Sequence, residues 1–393
     1  MLRVLVRKFS SLLLKAHRFL DRYGRKKNQV EPYRLNYQPS PGKTGIVHFN
    51  GNFVIGGTSQ LIADIVERTS DKYSHHIIVP SHPDPLPYQP VSLSAYPLQK
   101  LPELYKYLRD NRPALVHIHY WVRPMHRYYD FGIWYNAVFR ICEELQLKVI
   151  QNINVPTRPF ESSSVCHNVF VSHYVKDEFD DQPLVSSSVI YPGSDLAHFR
   201  SPDSDLVPDD AIGMVYRLDP DKLNPEAIEV FIEAARQKKG LRCYIIGDGR
   251  YLDHYKKRVR EEKLQEQFIF TGYISYRNLP GYYKKLALVV APVHDESFGQ
   301  VTPFAMGMGL PVTGYDTGAL AEILGSGETL VKAGDSEALA SSIISLVNDR
   351  ERRLVIGKRN KERAHQYFSV EKMINEYEEL YALHAGKKHN VLL

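Results

Sequence analysis

The sequence is poor in cysteine and has no long apolar run. Its three cysteines, Cys142, Cys166 and Cys243, are widely spaced and odd in number, and none forms a CxxC pair. This pattern excludes a disulfide framework and a thiolate metal site, and it favours a reducing compartment. No run of about 18 or more apolar residues occurs, so no transmembrane helix is predicted. We expect a cytoplasmic protein.

Most of the chain also lacks excess positive charge. The net charge is +5 over 393 residues, but residues 1–27 hold nine Lys and Arg residues against Asp21 alone. That segment therefore carries +8, and residues 28–393 carry −3. A mildly acidic body argues against a nucleic-acid partner.

Residues 1–27 predict a basic amphipathic helix. Apolar residues recur at alternating spacings of four and three, and most of the basic residues fall opposite them. Such a helix binds the surface of an anionic bilayer, which would place the protein peripherally on the inner face of the membrane. An ordinary helix packed on the protein body is the alternative. The apolar positions are Leu2, Val6, Phe9, Leu13, Ala16 and Leu20.

The length predicts two domains, and strand and helix patterns alternate through both halves. We predict an α/β fold with two doubly wound domains, which bind ligands beyond the carboxyl ends of their strands. The predicted segments are the helix 1–27, a linker 28–44, a first domain 45–197, an interdomain linker 198–210, a second domain 211–370, and a C-terminal helix and tail 371–393 that could pack back on the first domain.

The segment 291–312 carries the most chemical information. An apolar strand leads to Glu296, Phe298 and Gly299, and a helix with Pro303 in its first turn follows. Backbone N–H groups at a helix start suit a diphosphate, and Gly299 permits close approach of a ligand. Glu296 would accept hydrogen bonds from sugar hydroxyls.

Two cationic residues follow the first strand of the second half. Arg217 and Lys222 can stabilise the charge of a leaving diphosphate without a metal ion. A solvated surface pair is the alternative. Their occurrence in the same half as the Glu296 loop favours the functional interpretation.

These motifs resemble the family-4 glycosyltransferases, over residues 45–330. An Arg…Lys pair matches Arg217 and Lys222, an E-x-F-G loop matches residues 296–299, and a glycine turn matches Gly247 and Gly249. FTGYI, with Tyr273, resembles the segment near the nucleotide base, and PGSDLAHF resembles the interdomain motif. The resemblance implies the GT-B fold, in which two Rossmann-like domains face each other across a cleft. The donor would bind mainly to the second domain and the acceptor to the first.

The resemblance extends to the first half. Gly56 and Gly57 match a glycine loop that reaches toward the donor phosphates. His119, near the carboxyl end of a strand, matches a histidine that faces the reacting sugar; a structural histidine is the alternative. His117 is the weaker candidate.

By resemblance, His119 and Glu296 are catalytic and a further set of residues binds the donor. The implied activity (EC 2.4 class) is retaining transfer of a hexosyl or deoxyhexosyl group from a nucleotide-diphosphate sugar to a glycan or lipid-linked acceptor, in cell-surface polysaccharide biosynthesis. No cofactor and no metal are expected. A nucleotide-sugar epimerase, a phosphorylase-like enzyme and a catalytically silent sugar-nucleotide-binding scaffold are the alternatives. The implied donor-binding residues are Gly56, Gly57, Arg217, Lys222, Gly247, Gly249, Tyr273, Phe298, Gly299, Gln300, Val301 and Phe304.

One position departs from the family pattern. Phe304 stands where the second glutamate of the E-x7-E motif would reach the ribose hydroxyls, and a phenyl ring accepts no such hydrogen bond. One hypothesis is a donor with 2′-deoxyribose, such as a thymidine-diphosphate sugar. The alternative is that Phe304 packs in the core and that another group meets the ribose.

Overall fold

The computed structural model describes residues 33–35, 42–83, 86–89, 92–122, 129–200, 208 and 210–385. The predicted helix 1–27 and most of the predicted linker 28–44 lie outside these ranges. Within them, no helix is both long enough and apolar enough to cross a membrane. The described residues divide into two compact units: those up to 168, together with 182–186 and 380–385, form the first, and those within 169–181 and 187–379 form the second.

The first unit is built on a seven-stranded sheet with the order β5-β3-β2-β6-β7-β8-β9. Strands β2, β6 and β7 are almost wholly buried, as expected for parallel strands covered on both faces. β1 and β4 form a separate parallel pair. The strands are β1 Tyr33–Arg34, β2 Thr44–Asn50, β3 Tyr73–Val79, β4 Tyr88–Gln89, β5 Leu93–Ala95, β6 Leu115–Tyr120, β7 Val149–Ile153, β8 Val165–Phe170 and β9 Ser186–Val189.

The helices of this half connect the parallel strands, as a doubly wound sheet requires. They are α1 Gly57–Arg68, α2 Leu101–Asn111, α3 Tyr129–Glu144 and α4 His173–Phe179. A hydrophobic core packs between the sheet and its helices, and it includes Phe49, Trp134, Tyr135 and Phe139.

The second unit contains a six-stranded parallel sheet with the order β12-β11-β10-β13-β14-β15. This is the strand order of a dinucleotide-binding Rossmann fold. β10 is buried along its whole length because helices cover both faces. The strands are β10 Ala211–Val215, β11 Arg242–Ile246, β12 Phe268–Gly272, β13 Leu288–Ala291, β14 Val312–Asp316 and β15 Leu330–Lys332.

Two helices of the second half begin at aspartate caps. The Asp335 side chain accepts a hydrogen bond from the Ala338 N–H, and Asp349 accepts one from the Arg352 N–H; both satisfy helix-start donors that would otherwise lack partners. The helices are α5 Glu229–Gln237, α6 Leu252–Glu261, α7 Leu279–Tyr283, α8 Val301–Gly307, α9 Leu320–Leu324, α10 Ser336–Asn348, α11 Arg350–Tyr367 and α12 Val370–Ala385.

Three features of the domain organisation differ from the sequence-based prediction. The predicted linker 28–44 contains the short strand β1, because Tyr33–Arg34 find backbone partners in β4. The predicted interdomain linker 198–210 contains Phe199, whose fully buried ring packs inside the second unit. The chain also passes between the units more than once, since residues 169–181 belong to the second and 182–186 to the first.

Candidate functional site

The strand order of the second domain brings the loops after β10 and β13 side by side. These strands are hydrogen-bonded neighbours, with Ile212 opposite Leu288, although the two strands after β10 in the chain lie on its other side. The order of the strands reverses here, which is where open α/β sheets bind ligands. The loop after β10 carries Arg217 and Lys222, and the loop after β13 carries Glu296.

Lys222 and Glu296 form an ion pair across this point. Lys222 Nζ lies 2.6 Å from Glu296 Oε1 and 3.4 Å from the Asp295 carbonyl oxygen. The His294 N–H donates to the Lys222 carbonyl oxygen at 3.1 Å, which ties the two loops together. The structure therefore joins two predicted site residues that are 74 positions apart in the chain.

The Glu296 carboxylate is buried, and one of its oxygens has no protein partner. The residue is only 2% exposed, and Oε2 accepts no hydrogen bond from any of the described residues. An unpaired buried carboxylate oxygen costs free energy, so it is an acceptor position for a ligand hydroxyl. Burial and the charge of Glu296 also raise the pKa of Tyr216, which keeps that hydroxyl protonated.

Two glycines make room for Glu296. Gly299 has φ +73°, and a Cβ on it would lie 2.6 Å from Glu296 Cδ. Gly318 has φ +55°, and a Cβ there would lie 2.0 Å from the Glu296 carbonyl oxygen, which accepts a hydrogen bond from the Ala319 N–H. Any other residue at either position would displace the glutamate. Gly299 was predicted from its motif, whereas Gly318, which follows β14, belongs to no motif that was recognised in the sequence.

Arg217 is on the surface of this site. Its side chain is 60% exposed, and its Nη2 lies 2.5 Å from Asp221 Oδ2. Asp219, two residues before Asp221, accepts a hydrogen bond from the Arg250 N–H at 3.0 Å. These two aspartates therefore form contacts that hold the Arg217–Lys222 loop.

The glycine turn after β11 packs against the loop after β10. Gly247 has φ +143°, and a Cβ there would lie 1.9 Å from the Tyr216 carbonyl oxygen. Gly249 has φ +154°, and its Cβ would lie 2.6 Å from the Leu218 carbonyl oxygen. The two glycines thus allow this turn to lie against the chain that carries Arg217.

The remaining candidates of the second domain surround the same loops. Phe298 is buried beneath the loop, where its ring stacks on Tyr191 with a centroid separation of 5.8 Å. Gln300 and Val301 are half-buried; the Gln300 Nε2 donates to the Gly193 carbonyl oxygen, and the Val301 carbonyl oxygen accepts from Tyr283. Tyr273, after β12, is half-buried, and burial raises its pKa.

Phe304 packs in an aromatic cluster. Its ring is 4% exposed and lies parallel to that of Phe199, with centroids 4.0 Å apart and an interplanar angle of 2°. Tyr276 meets the same ring edge-on at 5.6 Å. These contacts support the packing alternative for Phe304, because they occupy both a face and an edge of its ring.

In the first domain, the predicted glycine loop leads directly into helix α1. Helix α1 begins at Gly57, and the Gly56 carbonyl oxygen accepts the N–H of Gln60 at 3.0 Å. The loop follows β2, which lies next to β6 at the point where the strand order of this sheet reverses. Its residues Val54 and Ile55 are exposed, so the loop forms part of the surface of the domain.

His119 lies inside the first domain. Its ring is fully buried, and its Nε2 is 3.2 Å from His48 Nδ1. His117, on the same face of β6, is also fully buried, and its Nδ1 is 2.7 Å from the Tyr381 hydroxyl. Burial lowers the pKa of His48, His117 and His119, so all three imidazoles are neutral. Contact between His119 and a sugar stays a prediction.

His48 and His75, which were not predicted as site residues, complete this histidine cluster. A signal was present, since β2, β3 and β6 each place histidine within an apolar strand. Side chains two apart on a strand share a face, but only the strand order shows which of these faces meet.

The C-terminal half matches a known protein family. Residues 204–363 match the model of the family described as "Glycosyl transferases group 1". This segment of the chain is therefore similar to the group 1 glycosyltransferases. The matched segment includes Arg217, Lys222, Glu296 and Phe304.

Curated relatives match the chain over part of their length. The lipopolysaccharide core biosynthesis mannosyltransferase LpsB of Rhizobium meliloti (strain 1021) is 32% identical over 120 residues, which cover 30% of this chain and 34% of LpsB. The capsular polysaccharide biosynthesis glycosyltransferase CapM of Staphylococcus aureus is 35% identical over 103 residues, 25% of this chain and 27% of CapM. The chain thus matches about a third of the length of these relatives.

Solved structures resemble the chain over most of its length. The structure of HepE from Anabaena, in complex with UDP and glucose, has a TM-score of 0.70 at 15% identity and covers 86% of this chain and 100% of that one. Sucrose-phosphate synthase from Thermosynechococcus elongatus has a TM-score of 0.69 at 18% identity, with 87% and 99% covered. Together with the two Rossmann-like sheets, these likenesses confirm the predicted GT-B fold.

Proposed function

We propose that the chain is a retaining glycosyltransferase that moves a hexosyl or deoxyhexosyl group from a nucleotide-diphosphate sugar to a glycan or lipid-linked acceptor. The observation that carries the proposal is the buried Glu296 carboxylate. Its Oε1 forms an ion pair with Lys222 Nζ, and its Oε2 has no protein partner among the described residues. The carboxylate lies at the switch point of the sheet, in the segment that is similar to the group 1 glycosyltransferases.

Each residue has a defined task in this proposal. Glu296 Oε2 accepts a hydrogen bond from a hydroxyl of the donor sugar and so orients that sugar. Lys222 holds the glutamate in place and, together with Arg217, faces the diphosphate. Because negative charge grows on the leaving diphosphate in the transition state, fixed cations next to it lower the barrier. The two side chains supply that charge, so we propose transfer without a metal ion.

The acceptor class is proposed from the relatives. LpsB and CapM are named for the biosynthesis of lipopolysaccharide core and of capsular polysaccharide. A glycan or a lipid-linked sugar is therefore the acceptor class that we propose for this chain, in the assembly of a cell-surface polysaccharide.

The test is a transfer assay of the full chain with a panel of nucleotide sugars and lipid-linked or oligosaccharide acceptors. We expect one donor to be consumed in the presence of acceptor, with the anomeric configuration of the product, measured by NMR, equal to that of the donor. Glu296→Gln should lower kcat strongly. The matched control Glu328→Gln, which alters an exposed glutamate paired with Arg359 in the same domain, should not.

Other outcomes would contradict the proposal in different ways. Conversion of the donor into another nucleotide sugar without acceptor would show an epimerase. Tight donor binding with no turnover on any acceptor would show a sugar-nucleotide-binding scaffold. An inverted product would overturn the retaining mechanism alone.

We also propose that residues 1–27 attach the protein to anionic membranes. The +8 charge of this segment and its apolar periodicity support the proposal. The full chain should sediment with vesicles that contain anionic lipid, less so at high salt, and a chain without residues 1–27 should not. Equal sedimentation of both chains, or of neither, would contradict the proposal.

A further inference from the structure

Three histidines of the first domain meet in its interior. His48 of β2 lies opposite His117 of β6 in the register of the sheet, and His119 is two residues further on, so all three share one face. None of the three side chains is exposed. One ring nitrogen from each lies within 4.8 Å of the other two.

The spacing of the nitrogens suits one metal ion. His48 Nδ1 and His119 Nε2 are 3.2 Å apart. Two imidazole nitrogens bound to one tetrahedral Zn²⁺ at about 2.0–2.1 Å are separated by about 3.3 Å. The rings of His117 and His119 are in contact, with centroids 4.1 Å apart, and the His117 nitrogen lies within 4.8 Å of the other two.

A chain of hydrogen bonds fixes the proton on His48. The Thr69 hydroxyl donates to the Ile65 carbonyl oxygen at 2.7 Å, so it accepts a hydrogen bond from His75 Nε2 at 2.8 Å. His75 Nδ1 is then unprotonated and accepts from His48 Nε2 at 2.9 Å. His48 Nδ1 therefore carries a lone pair, and this is the atom that points at His119.

His117 has an outer partner as well. Its Nδ1 lies 2.7 Å from the Tyr381 hydroxyl, and Nε2 is the nitrogen that we assign to the cluster. Asn152 lies opposite His119 in register and also faces His117, so an amide borders the group. Metal-binding histidines in proteins are oriented by such outer hydrogen bonds.

We propose that His48, His117 and His119 form a metal site for a zinc-class divalent cation inside the first domain. Three neutral imidazoles without a carboxylate suit Zn²⁺ and its neighbours in the first transition row, and not Mg²⁺ or Ca²⁺. In this proposal the ion has a structural effect, because it joins β2 to β6 in the interior of the first domain. The proposal does not rest on the proposed function.

The test measures metal content and metal binding in the full chain. Wild-type protein, purified without added metal, is analysed by elemental mass spectrometry, and metal-stripped protein is titrated with Zn²⁺ and with Co²⁺. The variants are His48→Asn and His117→Asn. The matched control is His76→Asn, which alters a histidine of β3 that binds Ser94 and Tyr107.

We expect stoichiometric zinc in the wild type and in His76→Asn, with tetrahedral cobalt absorption bands in both. His48→Asn and His117→Asn should bind Zn²⁺ at least about tenfold more weakly and lack those bands. Zinc should also raise the Tm of the metal-stripped wild type, a measurement that needs no variant. The proposal is overturned if zinc neither binds nor stabilises the wild type, or if the His48 and His117 variants bind it as tightly as the control does.

Discussion

The Glu296 carboxylate lies in the space that a side chain on Gly299 would need. A Cβ on Gly299 would lie 2.6 Å from Glu296 Cδ and 2.7 Å from its Oε2, the oxygen that has no protein partner among the described residues. The glycine of the E-x-F-G loop therefore sets the position of the carboxylate itself, in addition to giving the backbone its positive φ.

Gly299→Ala should abolish most of the transfer activity. The new methyl group would force the Glu296 carboxylate away from Lys222, and the left-handed backbone would add roughly 1–2 kcal/mol of strain. Gly240→Ala is the matched control, because Gly240 also has positive φ, +82°, but a Cβ there meets nothing within 4 Å. Both variants should lose stability, measured by urea unfolding, and Gly299→Ala alone should lose kcat. Equal activity of the two variants would contradict this role.

Arg217→Ala should weaken binding of the donor and of the nucleoside diphosphate at least tenfold. A charge-assisted hydrogen bond contributes about 1.5–3 kcal/mol. Arg242→Ala is the control, since Arg242 is similarly exposed and paired with Asp210 but lies at the amino end of β11, away from the ligand edge. Calorimetric titration of both variants tests the role. Unchanged affinity in a folded Arg217→Ala protein would exclude Arg217 from the phosphate site.

The packing of Phe304 predicts that the protein does not select against ribose. Since its ring is engaged by Phe199 and Tyr276, uridine or guanosine diphosphate should bind at least as tightly as thymidine diphosphate. Phe304→Glu should lower the free energy of unfolding by at least about 2 kcal/mol, because it buries a charge without a partner. Tighter binding of thymidine diphosphate, with a shift toward ribose nucleotides in Phe304→Glu, would support the deoxyribose hypothesis instead.

The lowered pKa of His76 predicts one component of the pH dependence of the free energy of unfolding. Burial lowers its pKa from 6.5 to about 4, and its ring binds Ser94 and Tyr107. The unfolded chain takes up this proton near pH 6.5 and the folded chain near pH 4. The contribution of neutral His76 to the free energy of unfolding is therefore complete above pH 6.5 and declines as the pH falls toward 4.

The measurement is urea unfolding of the wild type and of His76→Gln between pH 7 and pH 4. The stability advantage of the wild type should shrink by up to about 1.4 kcal/mol per pH unit across that window. His254→Gln, a change at an exposed histidine of α6, serves as the control. A constant difference between wild type and His76→Gln would show that His76 titrates alike in the folded and unfolded chains.

The features of this protein that depend on local pattern could be predicted from its residues alone. Alternating strand and helix patterns predicted two doubly wound domains, since buried parallel strands and amphipathic helices have distinct periodicities. The motifs placed Arg217 and Lys222 after one strand and Glu296 after another. Carboxyl ends of parallel strands lie at one edge of a sheet, so a common site followed.

Contacts between residues that are distant in the chain became known from the fold. The strand order made β10 and β13 neighbours and so paired Lys222 with Glu296. It also placed β2 beside β6, which buried His119 against His48, and folding of the predicted linker brought Phe199 onto Phe304. These contacts join residues far apart in the chain, and local propensity carries no information about them, because sheet order and core packing are settled by the chain as a whole.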